Sequence, residues 1–214
     1  MIKVEIAREW YSQNDPVHGF DHVLRVLKLA ETIAVEEGAD VEVVRAAVLL
    51  HDANGEETHT DNGETERLSH HLASAEFAAS ILRKDGWPEE RIEEVAHCIR
   101  AHRFRDNREP PQTLEAMIVF DADKLDAIGA IGVARAIAYA VNAGEFPYSR
   151  PSEHFMKTGE KEPGERHSAY HEHIYKLRKI RERMFTVSGK RLAEERHRFM
   201  EVFFEKLVEE STTE

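Results

Sequence analysis

The chain has 214 residues, of which 41% are hydrophobic, and its formal net charge is -12. This length is sufficient for a full hydrophobic core in one domain or at most two. The negative charge argues against binding of a nucleic acid polymer, because such proteins need a concentrated positive surface. The single cysteine, Cys98, excludes an internal disulfide and favours an intracellular protein.

No segment has the pattern of a signal peptide or a membrane span. The first residues, MIKVEIAREWYSQND, lack the apolar stretch of a secretion signal. The most apolar segment, AIGAIGVARAIAYAV, contains Arg135. We therefore expect a cytoplasmic protein that makes no contact with membranes.

Apolar residues recur at intervals of three and four along almost the whole chain, and no convincing alternating strand is found. The sequence therefore predicts an all-α fold in one domain, residues 1–214. The predicted helices span 2–13, 17–37, 40–52, 68–85, 88–104, 112–125, 128–143, 166–183 and 188–211. The stretches 53–66 and 144–165 are predicted loops. The helices from about 166 to 211 are expected to pack on the core or on a partner, which leaves a homodimer open.

Residues at the predicted helix ends favour these boundaries. Asp40 can cap the third helix, and Gly38 can end the second. Gly86 follows the fourth helix, and Pro88 suits the first turn of the fifth.

Four predicted helices carry a histidine or an aspartate where their core-facing stripe of apolar residues continues. These residues are His22, His51, His102 and Asp123, and Asp52 follows His51 directly. One such histidine is more often a hydrogen-bonded core residue than a ligand, but an unpaired buried carboxylate is strongly disfavoured. No Lys or Arg occupies a matching core-facing position that would neutralise Asp52 or Asp123. We therefore interpret the set as candidate ligands of a shared divalent metal.

Seven other histidines are predicted to lie at the surface. Their neighbours in the sequence are mostly charged, or they fall off an apolar stripe. They are His59, His97, His154, His167, His171, His173 and His197.

The candidate ligands also carry a resemblance to a known family. A helical His lies in HVLRVLKLA, an adjacent His-Asp pair in AAVLLHDA, and a distant Asp in FDADKLDAIGAIG. In this combination the sequence resembles the HD-domain superfamily of metal-dependent phosphohydrolases. Over nearly the whole chain it is similar to a branch of small, single-domain bacterial and archaeal members.

The resemblance implies an HD-domain helical bundle that holds one divalent metal, or two. Manganese, iron, nickel, cobalt, zinc and magnesium are the candidate ions. The implied ligands of the first metal are His22, His51, Asp52 and Asp123. The sequence ADKL at 122–125 selects Asp123, and its neighbours Asp121 and Asp126 are expected to orient the ligands or the adjacent lysine.

Some members of the superfamily bind a second metal through two further histidines. The matching stretches of this chain are SHHLASA and CIRAHR. The resemblance assigns the second metal to His70 and His102, whereas the apolar stripe of the fourth helix passes nearer His71. Ser74 stands where the family usually has Gly.

The activity that the resemblance implies is hydrolysis of a phosphomonoester or phosphoanhydride by metal-activated water. Asp52 is the expected proton acceptor, and Lys124 and His18 are further catalytic candidates. Arg103 and Lys124 are expected to bind phosphate oxygens, with Arg105 as an additional candidate. Because the chain is acidic, the expected substrate is a small phosphorylated metabolite or nucleotide.

Two other functions remain open from the sequence. A di-iron oxygenase of the HD fold would need redox-active iron at both metal positions. A non-catalytic nucleotide-binding HD module would be expected to have lost a ligand, whereas all four first-metal ligands are present in order.

Overall fold

The structure is a computed structural model that describes residues 2–11, 19–53, 70–103 and 109–212, with the side chain of His70 excepted. These residues form helices and contain no strand, and the one β-bridge among them joins Phe146 to Ser168. The predicted all-α fold is confirmed.

The described residues form ten α-helices. They are α1 (Val4–Ala7), α2 (Phe20–Glu37), α3 (Val41–Leu50), α4 (His70–Lys84), α5 (Glu89–Ala101), α6 (Leu114–Asp126), α7 (Gly129–Asn142), α8 (Glu153–Thr158), α9 (Ala169–Tyr175) and α10 (Val187–Ser211). Short 3₁₀ helices follow α1 (Arg8–Trp10) and α9 (Leu177–Arg183). The predicted loop 144–165 contains α8, which Ser152 caps by accepting a hydrogen bond from the Phe155 amide.

The chain divides into two compact units. Unit 1 comprises Met1–Lys124 and Phe185–Gly189, and unit 2 comprises Leu125–Met184 and Lys190–Glu214. The description of the chain as one domain stays a prediction.

Helix α3 is the central helix of unit 1. Seven of its ten residues are buried, and it packs against α2, α4 and α5. An apolar surface on nearly all sides suits a helix that is enclosed by others. Asp40 caps its start as predicted, since its Oδ1 accepts hydrogen bonds from the Glu42 and Val43 amides. Gly38, at φ 75°, ends the preceding helix in the left-handed conformation that favours glycine.

Asp121 holds the segment 185–189 within unit 1. Its buried carboxylate accepts hydrogen bonds from the Phe185 amide at 2.9 Å, the Thr186 amide at 2.8 Å and the Thr186 hydroxyl at 2.7 Å. Gly189 follows so closely that a Cβ atom there would lie 2.2 Å from Asp121 Oδ2. The role of Asp121 that the structure shows is therefore to anchor this segment.

In unit 2, three histidines predicted at the surface are buried, so that prediction was wrong for them. His171 Nδ1 lies 2.7 Å from the Ser168 hydroxyl, and the His173 ring stacks on Phe204 with centroids 4.2 Å apart. His197 is buried on α10. Charged neighbours in the sequence misled this prediction, because burial follows the face of the helix and not the local composition. His154 is exposed as predicted, His167 is half-buried, and His59 lies outside the described residues.

His97 in unit 1 is also more enclosed than predicted. Its Nδ1 lies 2.8 Å from Glu109 Oε1, and its Nε2 accepts a hydrogen bond from the Gln112 amide. It therefore ties α5 to the segment that precedes α6.

Among the described residues, no single helix has both the length and the apolar composition needed to cross a membrane. The adjacent helices α6 and α7 meet that criterion only when they are taken together.

We predict that Asp121→Ala lowers the free energy of unfolding by about 2–4 kcal/mol, because it removes the acceptor of the buried amide and hydroxyl of Thr186 and of the part-buried Phe185 amide. Urea unfolding followed by circular dichroism measures this change. Asp85→Ala is the matched control at an exposed position and should shift the free energy by less than about 0.5 kcal/mol. Equal effects of the two substitutions would contradict the anchoring role of Asp121.

Candidate functional site

Four helices of unit 1 deliver imidazole and carboxylate groups to one place. His22 lies in the first turn of α2, and His51 and His102 follow the last residues of α3 and α5. Asp123 lies in the last turn of α6. One ligand atom each of His22, His51 and Asp123 can be chosen so that all three lie within 4.8 Å of one another. We call these residues, with Asp52 and His102, the His-Asp cluster.

Contacts within the cluster join each carboxylate to an imidazole. His22 Nε2 lies 3.3 Å from Asp123 Oδ1, and His51 Nε2 lies 3.3 Å from Asp52 Oδ2. The other oxygen of Asp52 lies 3.7 Å from His102 Nε2. The His51 ring is 5.6 Å from the His22 ring and 5.2 Å from the His102 ring, measured between centroids. The sequence prediction that these positions converge agrees with the geometry.

Two of the histidines are oriented by the helices that they terminate. His51 Nδ1 lies 2.8 Å from the carbonyl of Val48, and His102 Nδ1 contacts the carbonyl of Ile99 in the same way. Each carbonyl belongs to the last turn of a helix, where it has no partner within the helix. Because Nδ1 must donate the proton in such a contact, the neutral ring carries its lone pair on Nε2. The Nε2 atoms of both rings face Asp52.

The Nε2 atom of His51 is a buried polar atom without a hydrogen-bond partner. The His51 residue is only 1% exposed, so bulk solvent does not reach this atom. Such an atom costs free energy unless another group satisfies it. The donor set that faces it, imidazole and carboxylate, is suited to a divalent transition ion.

The electrostatics of the cluster differ between its members. Burial opposes ionisation of Asp123, but the Lys124 ammonium and His22 hold the pKa of this carboxyl well below its usual range. Burial also opposes protonation of His51, yet Asp52 and Asp123 raise the pKa of its ring. The pKa of His102 is lowered to about 4, chiefly by burial, so this ring is neutral at pH 7.

Lys124 corrects one expectation drawn from the sequence. No Lys or Arg was expected to neutralise the carboxylates, because none lies on the apolar stripes. Lys124 Nζ nevertheless lies 2.6 Å from Asp123 Oδ2, and it also lies over the Phe120 ring. The long lysine side chain reaches a site that the Cα position alone does not indicate.

The candidate ligands of a second metal are His102 and either His70 or His71. His102 belongs to the cluster, whereas the side chain of His70 lies outside the described residues. His71 is buried, and its Nδ1 lies 3.2 Å from Nη1 of Arg103. The choice between His70 and His71 stays open, and His18 and Arg105 lie outside the described residues.

Two further residues support the His51-Asp52 pair, and the sequence predicted this role for neither of them. The buried Tyr11 hydroxyl donates to the carbonyl of Leu49 at 3.1 Å, and the Ser74 hydroxyl donates to the carbonyl of Ala53 at 2.9 Å. These bonds hold the backbone on both sides of the pair. Ser74 was noticed as a departure from the family's usual Gly, whereas nothing in the sequence singled out Tyr11.

Asp126 takes part in a separate interaction. It is buried, and its Oδ2 lies 3.2 Å from Nη1 of Arg135 within unit 2. The structure thus shows a structural contact for Asp126 and for Asp121, while the expectation that they orient the ligands or Lys124 stays a prediction.

The chain is similar over most of its length to proteins of two Bacillus species. YpgQ of Bacillus subtilis is 34% identical over 193 residues, which cover 89% of this chain and 82% of YpgQ. The crystal structure of YpgQ in complex with ADP is similar with a TM-score of 0.69 and 30% identity, over 97% of each chain. An HD-superfamily hydrolase from Bacillus thuringiensis is similar with a TM-score of 0.72 and 25% identity, over 99% of this chain and 95% of that one.

A longer protein matches only in part. Ribonuclease Y of Chloroflexus aurantiacus is 33% identical over 118 residues, which cover 55% of this chain but 19% of the ribonuclease. The HD domain family itself matches residues 19–128, the range that contains every member of the His-Asp cluster. With that match over half of its length and the similarity to YpgQ over most of it, the chain belongs to the HD-domain family.

Proposed function

We propose that the protein is a metal-dependent phosphohydrolase that hydrolyses a small phosphomonoester or nucleotide. The observation that carries the proposal is the cluster of His22, His51 and Asp123, in which the buried Nε2 of His51 makes no hydrogen bond although Asp52 Oδ2 lies 3.3 Å away. Membership of the HD-domain family and similarity to an HD-superfamily hydrolase support the same reaction class.

The residues of the cluster fit a divalent ion. His22, His51, Asp52 and Asp123 are the proposed ligands of the first metal. They offer imidazole nitrogen and carboxylate oxygen. Burial opposes protonation of His51, but Asp52 and Asp123 raise the pKa of its ring, which supports a positive charge at this position. A bound divalent ion would lower the pKa of water and neutralise charge on a phosphoryl group.

Asp52 is the proposed proton acceptor. Its side chain is 15% exposed, so it is reachable from solvent, while its two oxygens face His51 and His102. These two imidazoles fix the orientation of the carboxylate, and a fixed carboxylate next to the attacking water can accept its proton.

Lys124 and Arg103 are the proposed phosphate-binding residues. Lys124 balances the charge of Asp123 in this structure, and a divalent ion at Asp123 would release the ammonium to meet a phosphate oxygen. Arg103 follows His102 directly and contacts His71, so its guanidinium lies at the same end of α5. Both side chains supply charge-assisted hydrogen bonds for a phosphoryl group.

Two observations support a small substrate. The net charge of -12 disfavours a long polyanion, whereas one or two phosphate groups can be balanced by local cations. YpgQ, which is similar over most of the chain, was crystallised with ADP. We therefore favour a nucleotide among the small phosphorylated compounds.

Loss of a residue that only orients a metal ligand weakens metal binding by roughly 10–100-fold. We predict that His51→Ala and Asp123→Asn, which each alter a ligand itself, weaken manganese binding by more than this. Isothermal titration of the metal-free protein measures the affinity, and circular dichroism verifies that helix content is retained. His154→Ala, at an exposed position of α8, is the control and should bind as the parent does. Retention of parental affinity in either variant would remove that residue from the ligand set.

We predict that His102→Ala loses one metal ion per chain and retains the first. Elemental analysis after saturation with manganese, followed by removal of unbound ions, gives the stoichiometry. His97→Ala is the matched control on the same helix, because His97 binds Glu109 and not the cluster. Equal stoichiometry in His102→Ala and the parent would exclude a second metal that depends on His102.

We predict metal-stimulated phosphate release from at least one nucleoside phosphate or sugar phosphate. Asp52→Asn should lower kcat by about 10²–10⁴-fold, because it removes the proton acceptor. Asp85→Asn serves as the control. A short single-stranded RNA, included as a polymeric substrate, should not be cleaved.

Other outcomes of the same measurements would replace the proposal. Two irons per chain without phosphate release would favour the di-iron oxygenase. Absence of both bound metal and metal-stimulated turnover would favour a non-catalytic nucleotide-binding module.

A further inference from the structure

Unit 2 contains a pocket that shares no residue with the His-Asp cluster. It is open to solvent, and its volume of about 660 Å³ lies within the range of roughly 300–1,000 Å³ that is usual for small-ligand sites. It is lined by Tyr148, Arg150, Pro151, Ser152, Glu153, Met156, Lys157, Tyr170 and Val208. We propose that this pocket binds a nucleoside phosphate, independently of any reaction at the His-Asp cluster.

Two tyrosine rings supply the aromatic part of the pocket. The Tyr148 and Tyr170 rings lie 5.4 Å apart at an angle of 51°, and both residues are half-buried. Tyr170 is supported from within unit 2 by the rings of His173 and Phe204. Rings held in this way offer a stacking surface for a planar base.

The backbone keeps the two tyrosines together. The Ala169 amide donates to the carbonyl of Phe146 at 3.1 Å, and the Tyr170 amide donates to the carbonyl of Pro147 at 3.3 Å. The segment before Tyr148 is therefore attached to the start of α9, which carries Tyr170. A ligand would meet an arrangement that exists before it binds, and this lowers the entropic cost of binding.

The charges of the pocket favour an anion. Arg150 and Lys157 are its cations, and Glu153 is its one carboxylate, so the lining is net positive in a chain of net charge -12. Lys157 Nζ lies 3.7 Å from Glu153. Arg150, by contrast, makes no hydrogen bond or ion pair with any residue that the structure describes, and a guanidinium is suited to bidentate contact with phosphate.

The wall that carries Arg150 is held in place by Glu165. This carboxylate accepts hydrogen bonds from the Ser152 amide at 2.7 Å, the Ser152 hydroxyl at 2.8 Å and the Glu162 amide at 2.8 Å. His171 Nε2 lies 3.1 Å from the same group. The backbone two residues after Arg150 is thus fixed, while the guanidinium remains exposed to solvent.

A planar ring that carries an anionic group matches both parts of the pocket. A phosphate alone would use Arg150 and leave the rings uncovered, and a neutral aromatic compound would leave Arg150 without a partner. The hydroxyls of Tyr148 and Tyr170 make no hydrogen bond with the described residues and are available to a ribose. Nucleoside mono- and diphosphates combine all of these groups.

The test is calorimetric titration of the full-length protein with AMP and ADP in the presence of EDTA. We expect one nucleotide per chain, and binding at least about 10-fold weaker for adenosine and for ribose 5-phosphate. Arg150→Gln and Tyr148→Leu should each weaken ADP binding about 10-fold or more. Arg198→Gln is the matched control, because Arg198 is an exposed cation outside the pocket; it should bind ADP as the parent does.

Three results would overturn the proposal. They are absence of binding at millimolar nucleotide, equal affinity for ribose 5-phosphate and AMP, and ADP binding that survives Arg150→Gln and Tyr148→Leu but is lost in Lys124→Gln. The last result would place the nucleotide at the His-Asp cluster.

Loss of catalytic activity in Asp52→Asn with ADP binding in EDTA unchanged would separate the two sites.

Discussion

The contact from a helix-terminal histidine to the carbonyl three residues before it is the interaction on which the site depends. At His51 and His102 this contact satisfies a carbonyl that the helix leaves without a partner, and it also selects the tautomer with a free Nε2. Both Nε2 atoms face Asp52 as a consequence. Local helix chemistry thus sets ring orientation, and the packing of α3 against α5 sets the distance between the rings.

Burial of this many carboxylate and imidazole groups favours positive charge beside the carboxylates. Asp123 uses Lys124 and His22 in this structure, whereas the His51 Nε2 atom has no hydrogen-bond partner. Lys124 therefore stabilises one carboxylate without satisfying the imidazole. A bound ion of the kind proposed would accept lone pairs from both kinds of group, which would account for the combination of imidazole with carboxylate.

Helical periodicity was sufficient to predict the all-α fold and the convergence of His22, His51 and Asp123, because all three continue apolar stripes that must face the same core. Periodicity did not predict that Lys124 contacts Asp123, because that contact depends on the length of the lysine side chain. It also did not predict the burial of His173, which depends on packing against Phe204 far along the chain. The hydrogen bond from the Tyr11 hydroxyl to the Leu49 carbonyl could likewise not be predicted, because a single hydroxyl contact leaves no periodic pattern in the sequence.

The charge distribution gives the proposed selectivity for small phosphates a physical basis. At physiological ionic strength, charges separated by more than about 8 Å are largely screened from one another. A nucleotide would therefore respond mainly to the cations within its own pocket, such as Lys124 in unit 1 or Arg150 in unit 2. A polyanion extends over many such distances and would meet the acidic surface that the net charge of -12 implies. Local cations on an acidic protein thus favour small anions over polymers, and they do so without a barrier that excludes polymers sterically.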